Sequence, residues 1–234
     1  MLQPAEQAGA RLQAHTAQLA IQKMGGIFSG IGGNDLAAGA AFLRRSHQPP
    51  AFSWIATNLV SPETGEPLFT PILRQEVNGV RIAILALTDP GEVAPQPGLR
   101  VVPWQDCLPD ALKQARQGAD CIILLSNHAF NDNVAIARQH GDIDLIFQAG
   151  HAIGNRPPQV VRNTLILQTQ TRGQTLGVLD IDWKKNGTWM QAGSTGAAVS
   201  STYLNRFINI SPSIPRDQEI EALIRENMSA LPPP

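Results

Sequence analysis

Three places in the chain put polar, metal-competent side chains directly behind an apolar run. Residues 26–39, GIFSGIGGNDLAAG, carry Asn34 and Asp35; residues 121–128, CIILLSNH, end in Ser126, Asn127 and His128; residues 143–151, IDLIFQAGH, end in Gly150 and His151. Each run reads as a buried strand, and the C-terminal ends of parallel strands are where α/β sheets place their chemistry. Asn, Asp and His gathered at three strand ends form the oxygen and imidazole donor set that suits a divalent cation.

Each residue also has a plainer reading. His151 follows a buried strand and a glycine that clears room, so it is either a metal ligand or a loop histidine bonded to backbone. His128 reaches a metal only if its strand end slips by one residue, and the downstream spacing argues against that slip. Asp35 fits the N-cap of a helix over residues 36–45. Asn127 either donates to a phosphate or satisfies loop backbone at its strand end. Arg156 and Arg172 flank the expected cleft and could hold an anion through forked hydrogen bonds.

The order of these motifs resembles the metallophosphoesterase (calcineurin-like) domain of the 5'-nucleotidase family, which carries Asp-x-His, Gly-Asp, Gly-Asn-His-Glu, a lone His after Leu-Ser, and Gly-His-x-His. Ala56-Thr57-Asn58-Leu59-Val60, Gly79-Val80-Arg81-Ile82-Ala83 and Ile143-Asp144-Leu145-Ile146 resemble the family too, and the similarity covers most of residues 26–183. The resemblance implies metal-dependent hydrolysis of phosphate monoesters such as nucleotides, a divalent metal (Mn, Zn, Fe or Mg), and a periplasmic or extracellular setting. Registered on Gly39, Gly32-Gly33-Asn34-Asp35 lies on Gly-Asn-His-Glu, so the metal-binding Asn becomes Gly33 and the general-acid His becomes Asn34. Registered on Leu125-Ser126, Asn127 takes the place of the lone His. Gly150-His151 keeps one of two histidines.

The candidate catalytic positions are therefore Asn34 and Asp35, the candidate substrate contacts Asn127 and, flanking the cleft, Arg172, and the candidate metal ligands His151 and, if its strand end slips, His128. The Asp-x-His and Gly-Asp motifs belong before Gly26, yet residues 1–24 hold no Asp. The expectation is a domain truncated at its N-terminus. A bridging carboxylate is what holds two cations roughly 3.5–4 Å apart. Without it the site is expected to be degenerate: an enzyme completed by ligands from outside the chain, an inactive binding or scaffolding module, or an incomplete fold.

Composition narrows the partners. The 234 residues suit one domain with a tail, and a net charge of −1 gives no basic field for nucleic acid or anionic lipid. No apolar run approaches the roughly 18 residues of a membrane span, and the first residues lack a secretory signal. Cys107 and Cys121, the only cysteines, form no metal or haem motif and read as small buried side chains.

The positioning elements follow from periodicity. Residues 4–24 read as a helix, 27–31 as a strand, 36–45 as a helix and 52–58 as a strand. Strands at 72–77 and 80–87 flank Asn78-Gly79, a hairpin turn. A helix over 104–117, a strand at 121–126, a helix over 132–140 and a strand at 143–148 complete the alternation. After a Pro157-Pro158 loop come strands at 164–169, 175–182 and 188–192, with Asn186-Gly187 turning the last pair antiparallel. The pattern reads as α/β, a mixed-sheet sandwich, and the resemblance implies the four-layer metallophosphoesterase type lacking its first strands. Residues 1–193 form the domain; 194–234 hold a mobile small-residue stretch, an amphipathic helix at 215–231 and a Pro-rich end. A dimer or partner domain is expected to cover the open N-terminal sheet edge.

Overall fold

The structure is a computed structural model that describes residues 4–49, 51–150, 154–194 and 200–228. Helix α1 (Pro4–Lys23) precedes a three-residue strand β1 (Phe28–Gly30), a 3-10 turn (Gly33–Ala38) and a short helix α2 (Ala40–Ser46). The single helix expected over 36–45 is broken because Gly39 sits at φ 86°, outside helical space. Asp35 is not the N-cap. It occupies the third position of the 3-10 turn, and its Oδ2 accepts the Gly32 N–H at 2.8 Å. Of the strand expected over 52–58 only β2 (Ser53–Ile55) forms, and a further short strand, β3 (Leu59–Val60), follows just beyond it. Between them Asn58 is fully buried, its Nδ2 donating to the Thr88 and Val102 carbonyls and its Oδ1 accepting the Thr88 N–H.

Strands β4 (Ile72–Val77) and β5 (Val80–Leu87) form the expected hairpin, with Asn78 and Gly79 both at positive φ as a tight primed turn requires. β6 (Arg100–Val101) pairs with β3 and leads into α3 (Trp104–Arg116). β7 (Cys121–Ser126), α4 (Phe130–Gln139) and β8 (Leu145–Gln148) then follow. A strand that the Pro157-Pro158 pair concealed, β9 (Arg156–Val161), pairs antiparallel with β10 (Thr164–Gln168). β9 is an edge of the sheet, and its ladder shifts register opposite Ile166–Gln168, the setting in which prolines, which bring no N–H to a ladder, are tolerated.

The main sheet has the order β4-β5-β7-β8-β10-β9, with β5, β7, β8 and β10 parallel. Alternation divides its faces. Leu85, Leu87, Ile122, Leu124, Ile146 and Ile166 pack with Trp104, Leu108 and Leu112 of α3 and Ile136 of α4. Ile84, Ala86, Ile123 and Leu125 face the other way, onto Phe28 and Ile55 of the parallel pair β1–β2.

A further stretch of that second face is covered by β11 (Thr175–Asp182), β12 (Thr188–Gln191) and β13 (Ser200–Asn209), in which Trp189, Leu179 and Tyr203 pack on Cys121, Leu145, Leu165 and Leu167. The expected hairpin between 175–182 and 188–192 does not form. β13 lies between them, antiparallel to β11 and parallel to β12, although the turn at Asn186-Gly187 is present. The small-residue stretch expected to be mobile through residue 201 gives way to β13 at Ser200, while residues 195–199 lie outside the described residues. Outside β1–β2, α2 and the 3-10 turn bury Leu36, Leu43, Phe52 and Trp54. Helix α5 (Gln218–Met228) packs along α1, where Lys23 and Glu219 pair at 2.7 Å. Helices, sheet, second β layer and helices make four layers.

Candidate functional site

The second β layer is in two pieces, and between them lies a trough of about 610 Å³ over β7 and β8. Its floor is Ala86, Leu125, Phe147 and Leu167 of the main sheet; Ala86 and Leu167 are buried, whereas Phe147 is 38% exposed. One wall is residues 28–33 at β1, the other Gly177 and Leu179 of β11. Polar groups crowd the end where the parallel strands finish: Asn34, Asp35, Glu92, Ser126, Asn127, Gln148, Gln168, Thr169 and Asn205. This is the carboxyl-end crevice that open α/β sheets use for ligands.

Of the residues singled out by sequence, Asn34, Asp35 and Asn127 meet here. Asn127 is nearly buried. Its Oδ1 accepts the Asp89 N–H at 2.6 Å, and its Nδ2 donates to Glu92 Oε2 at 3.1 Å, so the amide ties the end of β7 to the loop after β5. Asp35 retains substantial solvent-accessible area but is hemmed in by the trough mouth. That crowding raises its carboxyl above the usual range, against the opposing Gly32 N–H bond.

His128 is 4% exposed and does not line the trough; its Nδ1 stands 3.9 Å from Asp89 Oδ2 and its N–H donates to Ser126 Oγ. Arg172 is exposed in the turn between β10 and β11, at φ 63°, and does not line the trough either. Arg156, at the start of β9, lies over the Phe130 ring at 4.0 Å. His151 lies outside the described residues, one position beyond Gly150, whose backbone at φ 73° closes on Asn127.

Five polar trough residues are not marked by the sequence motifs: Glu92, Gln148, Gln168, Thr169 and Asn205. Gln148 and Gln168 each end a buried strand, 6% and 5% exposed, and face each other in the β8–β10 register. A polar residue closing an apolar run was a signal within reach. Glu92 and Asn205 carry none, because one lies in a 3-10 turn after Pro90-Gly91 and the other in a strand whose pattern is mixed.

The donors fit a metal pair poorly. Among the described residues no three His, Cys, Asp or Glu side chains converge as a metal would need. The two carboxylates at the trough already accept bonds, Asp35 from Gly32 N–H and Glu92 from Asn127, and the remaining polar side chains lining it are neutral amides and hydroxyls, those of Ser126 and Thr169 included. Amides are weaker ligands than carboxylate or imidazole, and nothing among these residues bridges two cations.

Four layers with a crevice at the parallel strand ends are the calcineurin-like metallophosphoesterase fold, and this chain has that fold. Solved structures agree. The 5'-nucleotidase precursor of Thermus thermophilus matches with a TM-score of 0.75 at 17% identity, over 93% of this chain and 45% of its own. A calcineurin-like phosphoesterase of Bacillus subtilis matches with 0.72 at 17%, over 92% and 73% respectively. The sulfate thiohydrolase of Thermus thermophilus matches with 0.64 at 22%, over 76% of this chain. The chain thus spans 32% of the thiohydrolase and 45% of the nucleotidase precursor. No protein-family model and no curated protein matches the sequence.

Proposed function

We propose that the chain is a metallophosphoesterase-fold domain that acts as a binding module, its hydrolytic centre incomplete. One observation carries this reading: the strand-end positions that would supply metal ligands and a general acid hold Gly33, Asn34 and Asn127, and Asn127 is committed to Asp89 and Glu92. An amide at position 34 cannot give a proton to a leaving oxygen at neutral pH, and a positioned acid typically contributes about 10²–10⁴-fold.

The second reading is a metal-dependent phosphomonoesterase acting on nucleotides or related esters. It is supported by the crevice's position and by the fold shared with a 5'-nucleotidase precursor and a calcineurin-like phosphoesterase. Mn, Zn, Fe or Mg would then polarise the ester, and Asp35 and His151 are the residues of this chain best placed in sequence to approach it. The assay that separates the two is turnover of p-nitrophenyl phosphate and AMP with added Mn²⁺. Background rates are expected; clear turnover abolished by His151→Ala would establish the enzyme.

A further inference from the structure

The trough has a feature that a small-molecule cleft does not need: both walls are free strand edges. Among the described residues β1 is paired only to β2, and β11 only to β13, so each has one backbone edge with no strand partner among them. Residues of both line the same cavity. Both pieces lie on the same face of the main sheet, and the floor between them is apolar: Ala86, Leu125, Phe147 and Leu167. Unpaired edges flanking an apolar floor are a template for another strand, whose alternate side chains would point down onto that floor. Charge adds an orientation. The charged described residues of the trough are Asp35 and Glu92, both acidic and both at its mouth, with no Lys or Arg among them.

We infer that the trough is a strand-acceptor site. An extended segment of another polypeptide, apolar at alternate positions and basic at the end that reaches the mouth, inserts between β1 and β11 and joins the two short sheets into one. Its main chain supplies the bonds the edges lack, the mode known as β-augmentation, and its inward side chains cover Phe147. This names the partner of the site proposed above as a binding module, and it rests on that reading only in placing the ligand in the same trough.

The test uses the whole chain and a synthetic nine-residue peptide of alternating valine and threonine with a lysine at each end. Saturable binding is expected, with amide exchange in β1 and β11 slowed about tenfold or more at saturation while β4, at the far edge of the main sheet, is unchanged. A proline at the peptide's centre, which removes a donor and cannot sit between two strands, is expected to abolish binding. Asp35→Lys is expected to weaken the lysine-ended peptide, and glutamate ends are expected to restore it. The inference is overturned by no saturable binding, by binding that leaves β1 and β11 exchange unaltered, or by a self-dimer that protects those amides and is not displaced by peptide. Turnover of p-nitrophenyl phosphate is read in the same samples. Hydrolysis would sink the binding-module reading while leaving the strand-acceptor result to stand on exchange alone.

Discussion

At the scale of single residues, close approach governs the trough more than charge does. Gly33 carries the backbone of β1 past the loop after β5 so tightly that a Cβ there would lie 2.2 Å from the Glu92 carbonyl oxygen. The obstacle is backbone, which cannot swing aside. Gly33→Ala is therefore expected to push the Pro90–Glu92 turn off the mouth and to cost about 1–3 kcal/mol, as forced overpacking does, measured by urea denaturation. The buried thiols give a second residue-level expectation. Burial, reinforced by the neighbouring Asp144 charge, pushes the Cys121 thiol up to about 12. An acid whose folded pKa is raised supports stability fully below its unfolded pKa, near 8.5, and that support is lost as pH rises towards the folded value. Between pH 7.5 and 9.5 the chain should lose about 1.4 kcal/mol that a Cys121→Ala variant does not lose. Equal losses in the two proteins would show that the thiol is not held protonated. Asn34, Asp35 and Asn127 were legible because each follows an apolar run at a turn. The bonds that occupy Asn127 were not, since Asp89 and Glu92 lie 38 and 35 residues away in sequence.

At the scale of elements, neighbours on both sides decide which strands hold. β7 is paired to β5 and β8, and β8 to β7 and β10, whereas three-residue β1 has one partner. Hydrogen exchange in a dilute sample should find β7 and β8 well protected and Phe28–Gly30 exchanging quickly; equal protection of all three in a monodisperse monomer would mean that β1's outer edge is covered in some other way. Strong periodicity made the central elements readable, and β7 and β11 have the expected bounds. Four strands escaped: β3 and β6, each only two residues long, and two longer ones for physical reasons. β9 is proline-bearing, which only an edge tolerates. β13 carries apolar residues on both faces: Tyr203 packs inward, while Leu204 and Ile208 are 43% and 42% exposed, so no alternation marks it. Its insertion between β11 and β12 is a tertiary choice that an Asn-Gly turn cannot reveal.

At the scale of the whole molecule, a mixed α/β sandwich with chemistry at its strand ends was foreseeable from the order of strands, helices and polar strand ends, and the four layers from the family resemblance. The division of the second layer was foreseeable only as an open edge near residues 27–31, and not as a trough walled on both sides. That trough supports a reading in which the fold has kept its crevice and exchanged the donors of a dinuclear centre for amides. Elemental analysis of the purified chain after equilibration with Mn²⁺ or Zn²⁺ and dialysis addresses this most directly, because two bound cations require ligands that the described strand-end residues do not bring together. The account predicts well under one equivalent of metal per chain. Close to two equivalents would contradict it and return the chain to the metal-dependent enzymes.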